Sequence, residues 1–577
     1  MKKFTTNFSI HSASLQDWSF WSLFVFGLVL YASPIIGSEF LPFSDLPGHL
    51  GVVGAVIHRN TLGAGIEEYY LINPHFAPNS LEFYFLWFFG EIFSLLTAAR
   101  LFALLCVVAL PLSFLYALNS FEKNRWLVFL AFPFSYPRIM WYGFLGSALG
   151  ISALLLSVGA AWRSSTRRGF RSEFVCAVSL CFAGLAHPFF FLASLAMVLC
   201  VFILSSVKPL KAIKRLTPPL VFLPSILIFY EWFLNMLSGM AASKGSKAIR
   251  GDQGPIEALW SHLEDKRPEP EIYWQWLDEW SLHAYRDRSL EDTVIFLVTA
   301  AFAACFCVAL LTWITKWGLL SVESLKKLKK ERTKRFRAKT KVRVIILYKL
   351  KFWRYGLPGS LVVPMLFACI LVAYVHLPGA IKFPVVWWAV AQRLVTPLIL
   401  FAFLLVPKSL PRRAAPILVA PAIVAMTMYG VHLREDFVHH FNEQEMQGLK
   451  KALSHIPRGK RVMGLYDDKE THYSHFQLHF GASYYVALRG GFALPFPVAP
   501  GYKDIAWAYP KKVTPGPPWG KFRYFKYSKH ARYYDYFLIK QRQNRRIKFR
   551  RFPQKCVNIK GPFGLWWVVE RRKTPGC

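Results

Sequence analysis

Long apolar runs recur along the first three quarters of this 577-residue chain. A helix of about 20 apolar residues is long enough to cross the ~30 Å hydrocarbon core of a bilayer. The hydrophobic fraction of 54% also exceeds that of a typical soluble globular protein. The chain is therefore predicted to be a polytopic α-helical membrane protein with about 11 spans. The predicted spans are 18–37, 98–118, 126–141, 143–162, 174–187, 188–206, 219–238, 293–315, 357–377, 384–406 and 414–432.

Basic clusters lie in alternate short loops between these spans, and they account for the net charge of +37 without a nucleic-acid partner. The positive-inside rule then places the N-terminus and the basic loop 316–356 in the cytoplasm, and loops 38–97 and 239–290 outside. The apolar stretch 81–96 could be a short span or an interfacial helix. This orientation requires that it does not fully cross the membrane. The first run is too long for a signal peptide and is expected to remain as an anchor. We expect a bacterial inner (plasma) membrane location.

The sequence divides at about residue 433, which separates a transmembrane domain, 1–432, from a small extracytoplasmic α/β domain, 433–577. Within the second domain the patterns predict a helix, His472 to Leu488, that ends at Gly490 and Gly491. Strands are predicted at Lys460 to Tyr466, Tyr534 to Ile539 and Leu565 to Val569, and a long loop at 492–520. A disulfide between Cys556 and Cys577 is compatible with the sequence but not required by it.

Polar and charged side chains collect at the predicted outer ends of the spans. Asp45 and His49 follow the first span at i and i+4, so on a helix they would share a face. His75 lies in the same outer loop, His187 lies in a short outer turn, and Arg393 enters a span from that side. Because ionisable groups at a span are costly unless they are solvated, paired or used, these residues are candidates for a functional site.

Two further segments carry chemistry. The outer domain contains Asp467, Asp468, His472, His475 and His479. A His-x-x-x-His step can hold a metal, but it is more often a solvated helix face. We favour His479 as a residue that closes over the membrane site. Trp274, Trp276 and Trp280 in loop 239–290 indicate an interfacial amphipathic helix or a sugar-stacking lid.

The pattern of the first outer loop resembles that of the membrane-embedded GT-C glycosyltransferases, which use polyprenyl-phosphate-linked sugars or similar lipid donors. In that superfamily a large first outer loop opens with an acidic residue, which is Asp45 here. An interfacial aromatic segment follows, matched by residues 78–87, and then Phe89-Gly90 and the step Ala98-Ala99-Arg100-Leu101. The resemblance covers the membrane part at the level of pattern.

The chain departs from the superfamily pattern at two positions. Many members carry a second acidic residue at the outer end of the fourth span, where this chain has Trp141-Tyr142-Gly143-Phe144-Leu145-Gly146. Others have Asp-x-Asp, whereas Pro47 stands here. His49 could replace the second oxygen ligand of a divalent cation, or the site could work without a metal.

The resemblance implies transfer of a sugar from a polyprenyl-phosphate donor to a glycan or lipid acceptor of the cell envelope, on the outer face of the membrane. Asp45 is the expected general base, assisted by His49, and Arg393 with His187, His75 and His479 would bind substrate. An alternative for Arg393 is a structural pairing with Glu82 or Glu91. Two other functions remain open: a non-catalytic scaffold that binds a partner protein through its basic C-terminal domain, and a lipid or polysaccharide transporter.

Overall fold

The protein is described here from a computed structural model. The structure describes residues 15–74, 78–167, 170–205, 227, 229–230, 269–332, 359–381, 387–467, 478, 480–496, 507–512, 514–542, 549–575 and 577. Within them, one connected apolar core runs from the first helix to the last strand. The helical part and the C-terminal part of the chain are therefore packed together.

The first part of the chain is helical. Its α-helices are α1 (Leu15–Ile36), α2 (Leu46–Ile57), α3 (Ile66–Tyr69), α4 (Leu81–Ile92), α5 (Leu95–Ser120), α6 (Arg138–Trp141), α7 (Leu145–Arg167), α8 (Phe170–Ala186), α9 (Pro188–Ser205), α10 (Pro270–Ser281), α11 (Ser289–Arg332), α12 (Gly359–His376), α13 (Val395–Leu404), α14 (Ala415–Leu418) and α15 (Ala420–Glu435). A π-helix, Asp436–Glu445, follows α15, and 3₁₀-helices cover Arg125–Leu130, Phe132–Ser135 and Ala391–Leu394.

Five helices of the described residues are long and apolar enough to cross a membrane. They are Asp17–Ile36, Leu95–Ser120, Leu145–Thr166, Pro188–Ser205 and Ser289–Thr315. Shorter apolar helices, Leu361–His376 and Ala391–Leu404, occupy two more of the predicted positions. The prediction of a membrane protein is supported by these helices, but the count of about 11 spans is not confirmed.

Two apolar stretches differ from a simple membrane span. Residues 126–141 form two short 3₁₀-helices and α6, and all of them are buried, so their apolarity serves the interior of the bundle and not contact with lipid. The stretch 81–96 contains α4, whose 12 residues extend only about 18 Å. A helix of that length does not cross the bilayer, in agreement with the expected topology. Most of the predicted span 219–238 lies outside the described residues.

The C-terminal part contains a five-stranded mixed sheet in the order β5-β4-β7-β9-β8. Its strands are β4 (Arg461–Tyr466), β5 (Phe492–Leu494), β7 (Tyr536–Lys540), β8 (Val557–Phe563) and β9 (Trp566–Arg571). β5, β4 and β7 are parallel, whereas β9 is antiparallel to β7 and to β8. Three of these strands were predicted. Helices α16 (Leu449–Ser454), α17 (Ser483–Arg489) and α18 (Tyr527–His530) accompany the sheet, and a disulfide joins Cys556 to Cys577.

Part of the C-terminal prediction is corrected by the structure. The described helix is only α17, Ser483–Arg489, and it ends at Gly490 and Gly491, which both have positive φ. These glycines end the helix as expected, because they adopt the left-handed region without a steric penalty. The stretch 492–520 is not simply a loop, since it contains β5 and β6 (Ala508–Pro510).

Many contacts attach the C-terminal part to the helical part, and three of them are particularly extensive or buried. β6 pairs with β1 (Tyr70–Ile72) of the first outer loop, and α17 packs against α2. The third contact is an ion pair between Glu445, at the end of the π-helix, and Lys540 of β7, with 2.5 Å between Oε2 and Nζ. Both side chains are almost fully buried, at 3% and 2% exposure. A short β-hairpin elsewhere pairs β2 (Ala380–Ile381) with β3 (Trp387–Trp388).

We expect Lys540→Met to destabilise the protein by about 3–5 kcal/mol, because it leaves the buried Glu445 carboxylate without its cation. Lys560→Met is the matched control: Lys560 pairs with Glu570 at 3.3 Å, but both side chains are about one-third exposed. Its loss should cost only about 0–1 kcal/mol. Thermal unfolding in detergent measures both variants, and equal melting temperatures would contradict a structural role for the buried pair.

Candidate functional site

Asp45 lies at the N-terminus of α2, where the backbone is held by the segment that precedes α7. The amides of Ser44 and Asp45 donate to the carbonyl oxygens of Trp141 and Tyr142, at 3.0 and 3.1 Å. The His49 amide donates to the Asp45 carbonyl oxygen at 3.1 Å, so the two residues are one helical turn apart. The i and i+4 spacing therefore puts the carboxylate and the imidazole at the same end of α2.

Glu82 completes a cluster with these two residues. Its Oε1 is 2.8 Å from Nδ1 of His49, and the glutamate side chain is only 4% exposed. The structure therefore shows Glu82 bound to His49 and not to Arg393, the structural partner considered for it from the sequence. A carboxylate in the first turn of the aromatic helix α4 is the sequence signal for such a contact, because it requires a partner.

The cluster shifts the protonation of both neighbours. Burial raises the pKa of Asp45 to about 6; His49 opposes this shift and Glu82 adds to it. Burial alone would lower the pKa of His49, but the charge and hydrogen bond of Glu82 and the charge of Asp45 outweigh it, and the pKa is raised. A buried cluster of two carboxylates and one imidazole thus favours a proton on both Asp45 and His49.

Gly143 allows the chain to pass directly against Asp45. A Cβ at this position would lie 2.6 Å from the Asp45 nitrogen, and Gly143 has a φ of +91°. Gly146 is similarly close to Ala186, with a Cβ position 2.5 Å from its carbonyl oxygen and 3.0 Å from Oδ1 of Asn79. The segment that lacks the second acidic residue of the superfamily therefore contributes backbone contacts and close packing around Asp45.

Arg393 and His187 meet on the other side of this segment. Arg393 is buried and donates to Ser147 Oγ through Nη1 and to the Trp388 carbonyl oxygen through Nη2, at 3.2 Å. Its Nη1 is 3.1 Å from His187 Nε2, and its guanidinium lies 4.9 Å from the ring centre of Phe144. These contacts are with neutral groups, so they do not show the pairing with Glu82 or Glu91 that was considered from the sequence.

The His187 ring is placed between two donors. The Phe189 amide donates to Nδ1 at 3.1 Å, and Arg393 approaches Nε2. A neutral imidazole accepts at one nitrogen only. If Nδ1 accepts from the Phe189 amide, Nε2 carries the proton. The N–H of His187 Nε2 and an N–H of Arg393 Nη1 then point toward the same space. An oxygen anion is the group that could accept from both.

Aromatic rings border the segment between Asp45 and Arg393. The Tyr142 ring stacks on Trp280 of α10 at 5.3 Å and meets Trp388 edge-on at 4.9 Å. Trp280 is buried, whereas Trp388 is 46% exposed. The aromatic loop 239–290 thus contains the expected helix, one face of which packs onto the bundle beside Tyr142.

Several predicted residues lie outside the described part of the chain. These are His75, Asp468, His472, His475 and His479. Asp467 is described, and its amide donates to the Lys540 carbonyl oxygen. Within the described ranges, no group of three or more His, Cys, Asp or Glu side chains is arranged to hold a metal ion. The roles given to His75, His479 and a divalent cation therefore stay predictions.

No protein-family model matches the chain, and no curated protein matches it. Solved structures with a similar arrangement include ArnT from Cupriavidus metallidurans bound to undecaprenyl phosphate, with 11% identity, 97% of this chain and 99% of that chain covered, and a TM-score of 0.49. The same protein in the apo state gives 11% identity, coverage of 96% and 98%, and a TM-score of 0.47. The arabinofuranosyltransferase AftD from mycobacteria gives 12% identity, coverage of 84% and 32%, and a TM-score of 0.42.

At such TM-scores the superposition is too loose to transfer the role of any single residue. The candidate site is therefore argued from the contacts of this chain alone.

We expect Gly143→Ala to destabilise the protein and to displace Asp45, because the added methyl group would overlap the Asp45 backbone. Gly63→Ala is the matched control, since Gly63 also has a positive φ, +76°, but an added Cβ would meet nothing within 4 Å. Both variants should lose about 1–2 kcal/mol to the left-handed backbone. Only Gly143→Ala should lose a further ~1–3 kcal/mol to overpacking. Thermal unfolding compares them, and equal losses would argue against the close contact at Asp45.

Proposed function

We propose that this protein transfers a sugar from a polyprenyl-phosphate-linked donor to an acceptor hydroxyl at the outer face of the membrane. One observation carries the proposal: the short segment 142–147 bonds to both Asp45, the proposed base, and Arg393, the proposed cation. The Asp45 amide is bonded to Tyr142, and Arg393 is bonded to Ser147. These two anchors are five positions apart in the sequence, so they lie at most about 18 Å apart.

Asp45 has the properties that a general base needs. Its pKa of about 6 leaves it ionised at neutral pH but basic enough to accept a proton. In the proposed reaction the acceptor oxygen attacks the anomeric carbon and its proton passes to Asp45. The bond from the anomeric carbon to the phosphate oxygen breaks, and its electron pair leaves with the polyprenyl phosphate.

Arg393 and His187 suit the phosphate that leaves. Charge develops on that phosphate as the bond breaks, and preorganised donors stabilise it. A phosphate oxygen beside this pair, within reach of both Arg393 Nη1 and His187 Nε2, would accept from both and would remove the conflict between two facing donors. The exposed face of Trp388, next to Tyr142, offers a surface on which a sugar ring could stack.

The disulfide supports the proposed orientation of the C-terminal part. Disulfides form and persist in oxidising compartments and are rare in the cytosol. The Cys556–Cys577 bridge therefore favours an extracytoplasmic location for this part of the chain, and for the Asp45 end of α2, which packs against it through α17.

We expect Asp45→Asn to abolish transfer while the fold is kept, because the change removes the base and preserves the shape. The matched control is Asp292→Asn, whose side chain is 62% exposed. Release of polyprenyl phosphate from a panel of polyprenyl-phosphate-linked sugars, measured by mass spectrometry in proteoliposomes, reports turnover. Wild-type turnover by Asp45→Asn would exclude Asp45 as the base.

The same assay tests the pH dependence. Because the base must be deprotonated, kcat/KM of the wild type should fall as the pH drops through about 6, by tenfold for each further pH unit. A flat profile over about two pH units around the Asp45 pKa would contradict the assignment.

We expect Arg393→Lys to weaken binding of undecaprenyl phosphate with little change in basal stability. Lysine keeps the charge but loses the planar fork that binds two phosphate oxygens. The melting temperature in detergent is measured with undecaprenyl phosphate and with undecaprenol, which lacks the phosphate. The phosphate-dependent increase should be lost in the variant.

Arg461→Lys is the matched control, because it shows how the melting temperatures change when a structural arginine is replaced. Arg461 binds Asp535 through Nε and Nη2, at 3.2 and 3.1 Å, within the C-terminal part. Its replacement should lower the basal melting temperature and leave the effect of undecaprenyl phosphate unchanged. If Arg393→Lys gives this same pattern, Arg393 is architectural and does not bind the donor phosphate.

A further inference from the structure

A polar cavity lies at the opposite end of the helical bundle from Asp45. Its volume is about 400 Å³. It is formed where α1 begins, where α5 ends and where the chain turns after α13. The residues that line it are Asp17, Asn119, Glu122, Lys123, Asn124, Arg125, Trp126, Lys408, Leu410 and Arg412. None of these residues takes part in the proposed transfer reaction.

The ends of two candidate spans place this cavity at the level of lipid headgroups. One span begins at Asp17 and another ends at Ser120, and both ends border the cavity. Trp18 and Trp21 of α1 are 67% and 48% exposed on the outside of the bundle. Exposed tryptophans are typical of the boundary between the acyl chains and water. The cavity is therefore positioned to receive a headgroup from the adjoining leaflet.

The lining carries more positive than negative charge. Four basic and two acidic side chains line it, which is an excess of two positive charges. Ion pairs join Arg125 to Asp17 and Lys408 to Glu122. Lys123 donates to the Val406 carbonyl oxygen at 2.7 Å, a neutral group.

The environment of Lys123 disfavours its own charge. Burial, and then repulsion from Lys408, lower the pKa of Lys123 to about 8. An anion in the cavity would oppose both effects. The cavity thus combines an excess of cations, an ammonium group that gains from a counterion, and a location at the membrane boundary.

We propose that this cavity binds a phosphodiester, the headgroup of an anionic phospholipid from the leaflet opposite the Asp45 site. The binding would hold the ends of α1 and α5 together at the bilayer surface. A basic pocket between membrane helices is a suitable receptor for such headgroups. The site is independent of the proposed glycosyl transfer and can be tested on the protein without any sugar donor.

The experiment compares Arg412→Gln with Arg413→Gln. Both arginines are exposed, adjacent, and lose the same charge on substitution, but only Arg412 lines the cavity. Binding of phosphatidylglycerol, phosphatidylcholine and inorganic phosphate to the purified full-length protein in detergent is measured by native mass spectrometry and by melting temperature.

We expect the wild type to bind phosphatidylglycerol in preference to phosphatidylcholine, and Arg412→Gln to weaken that binding about fivefold. Arg413→Gln should bind as the wild type does. Equal loss in both variants would mean diffuse attraction to a basic surface, and unchanged binding in Arg412→Gln would exclude the cavity; either result overturns the proposal. Stabilisation by inorganic phosphate as large as that by phosphatidylglycerol would overturn the lipid as the source of the phosphate.

Discussion

The close packing of α2 against α17 is the contact on which the candidate site depends. A Cβ on Gly54 would lie 2.5 Å from the Ala487 Cα, and one on Gly51 would lie 2.8 Å from the Ser483 Cβ. Only glycines allow the two helices to approach so closely. Because Asp45 lies at the start of α2, its position is set at one end by this packing and at the other by hydrogen bonds to residues 141–142.

Charge balance is the second constraint on the site. Glu82 bonds the imidazole of His49, the Asp45 charge also acts on that ring, and burial raises the pKa of Asp45 to about 6. Arg393 lies among neutral groups, beside a histidine that cannot accept from both of its donors. The 142–147 segment therefore holds Asp45, which can take a proton, and also Arg393, which together with His187 offers N–H groups suited to an anion. This division of charge is what a group transfer from a phosphate requires.

Much of the fold follows from local patterns. The runs that form α1, α5, α7 and α9 are apolar and about 20 residues long. Such runs form helices in a bilayer regardless of the neighbouring helices, because a helix satisfies its own backbone hydrogen bonds. Strands β4, β7 and β9 also followed from their β-branched and aromatic residues. The run 126–141 is predicted as a membrane span because apolarity indicates burial but does not distinguish lipid from the protein interior. Its interruption into 3₁₀-helices depends on the helices that enclose it.

Asp45 and His49 could be found as a pair because their spacing along one helix brings them together. The sequence alone also determined the membrane character of the chain, and it indicated Asp45, His187 and Arg393 as candidate site residues. Only the tertiary structure decided that Glu82 binds His49, that Gly143 lies against Asp45, and that Arg393 meets His187 across 206 positions of sequence. The reason is physical: local periodicity determines which face of a helix a side chain occupies, whereas the partner on that face depends on how distant helices pack.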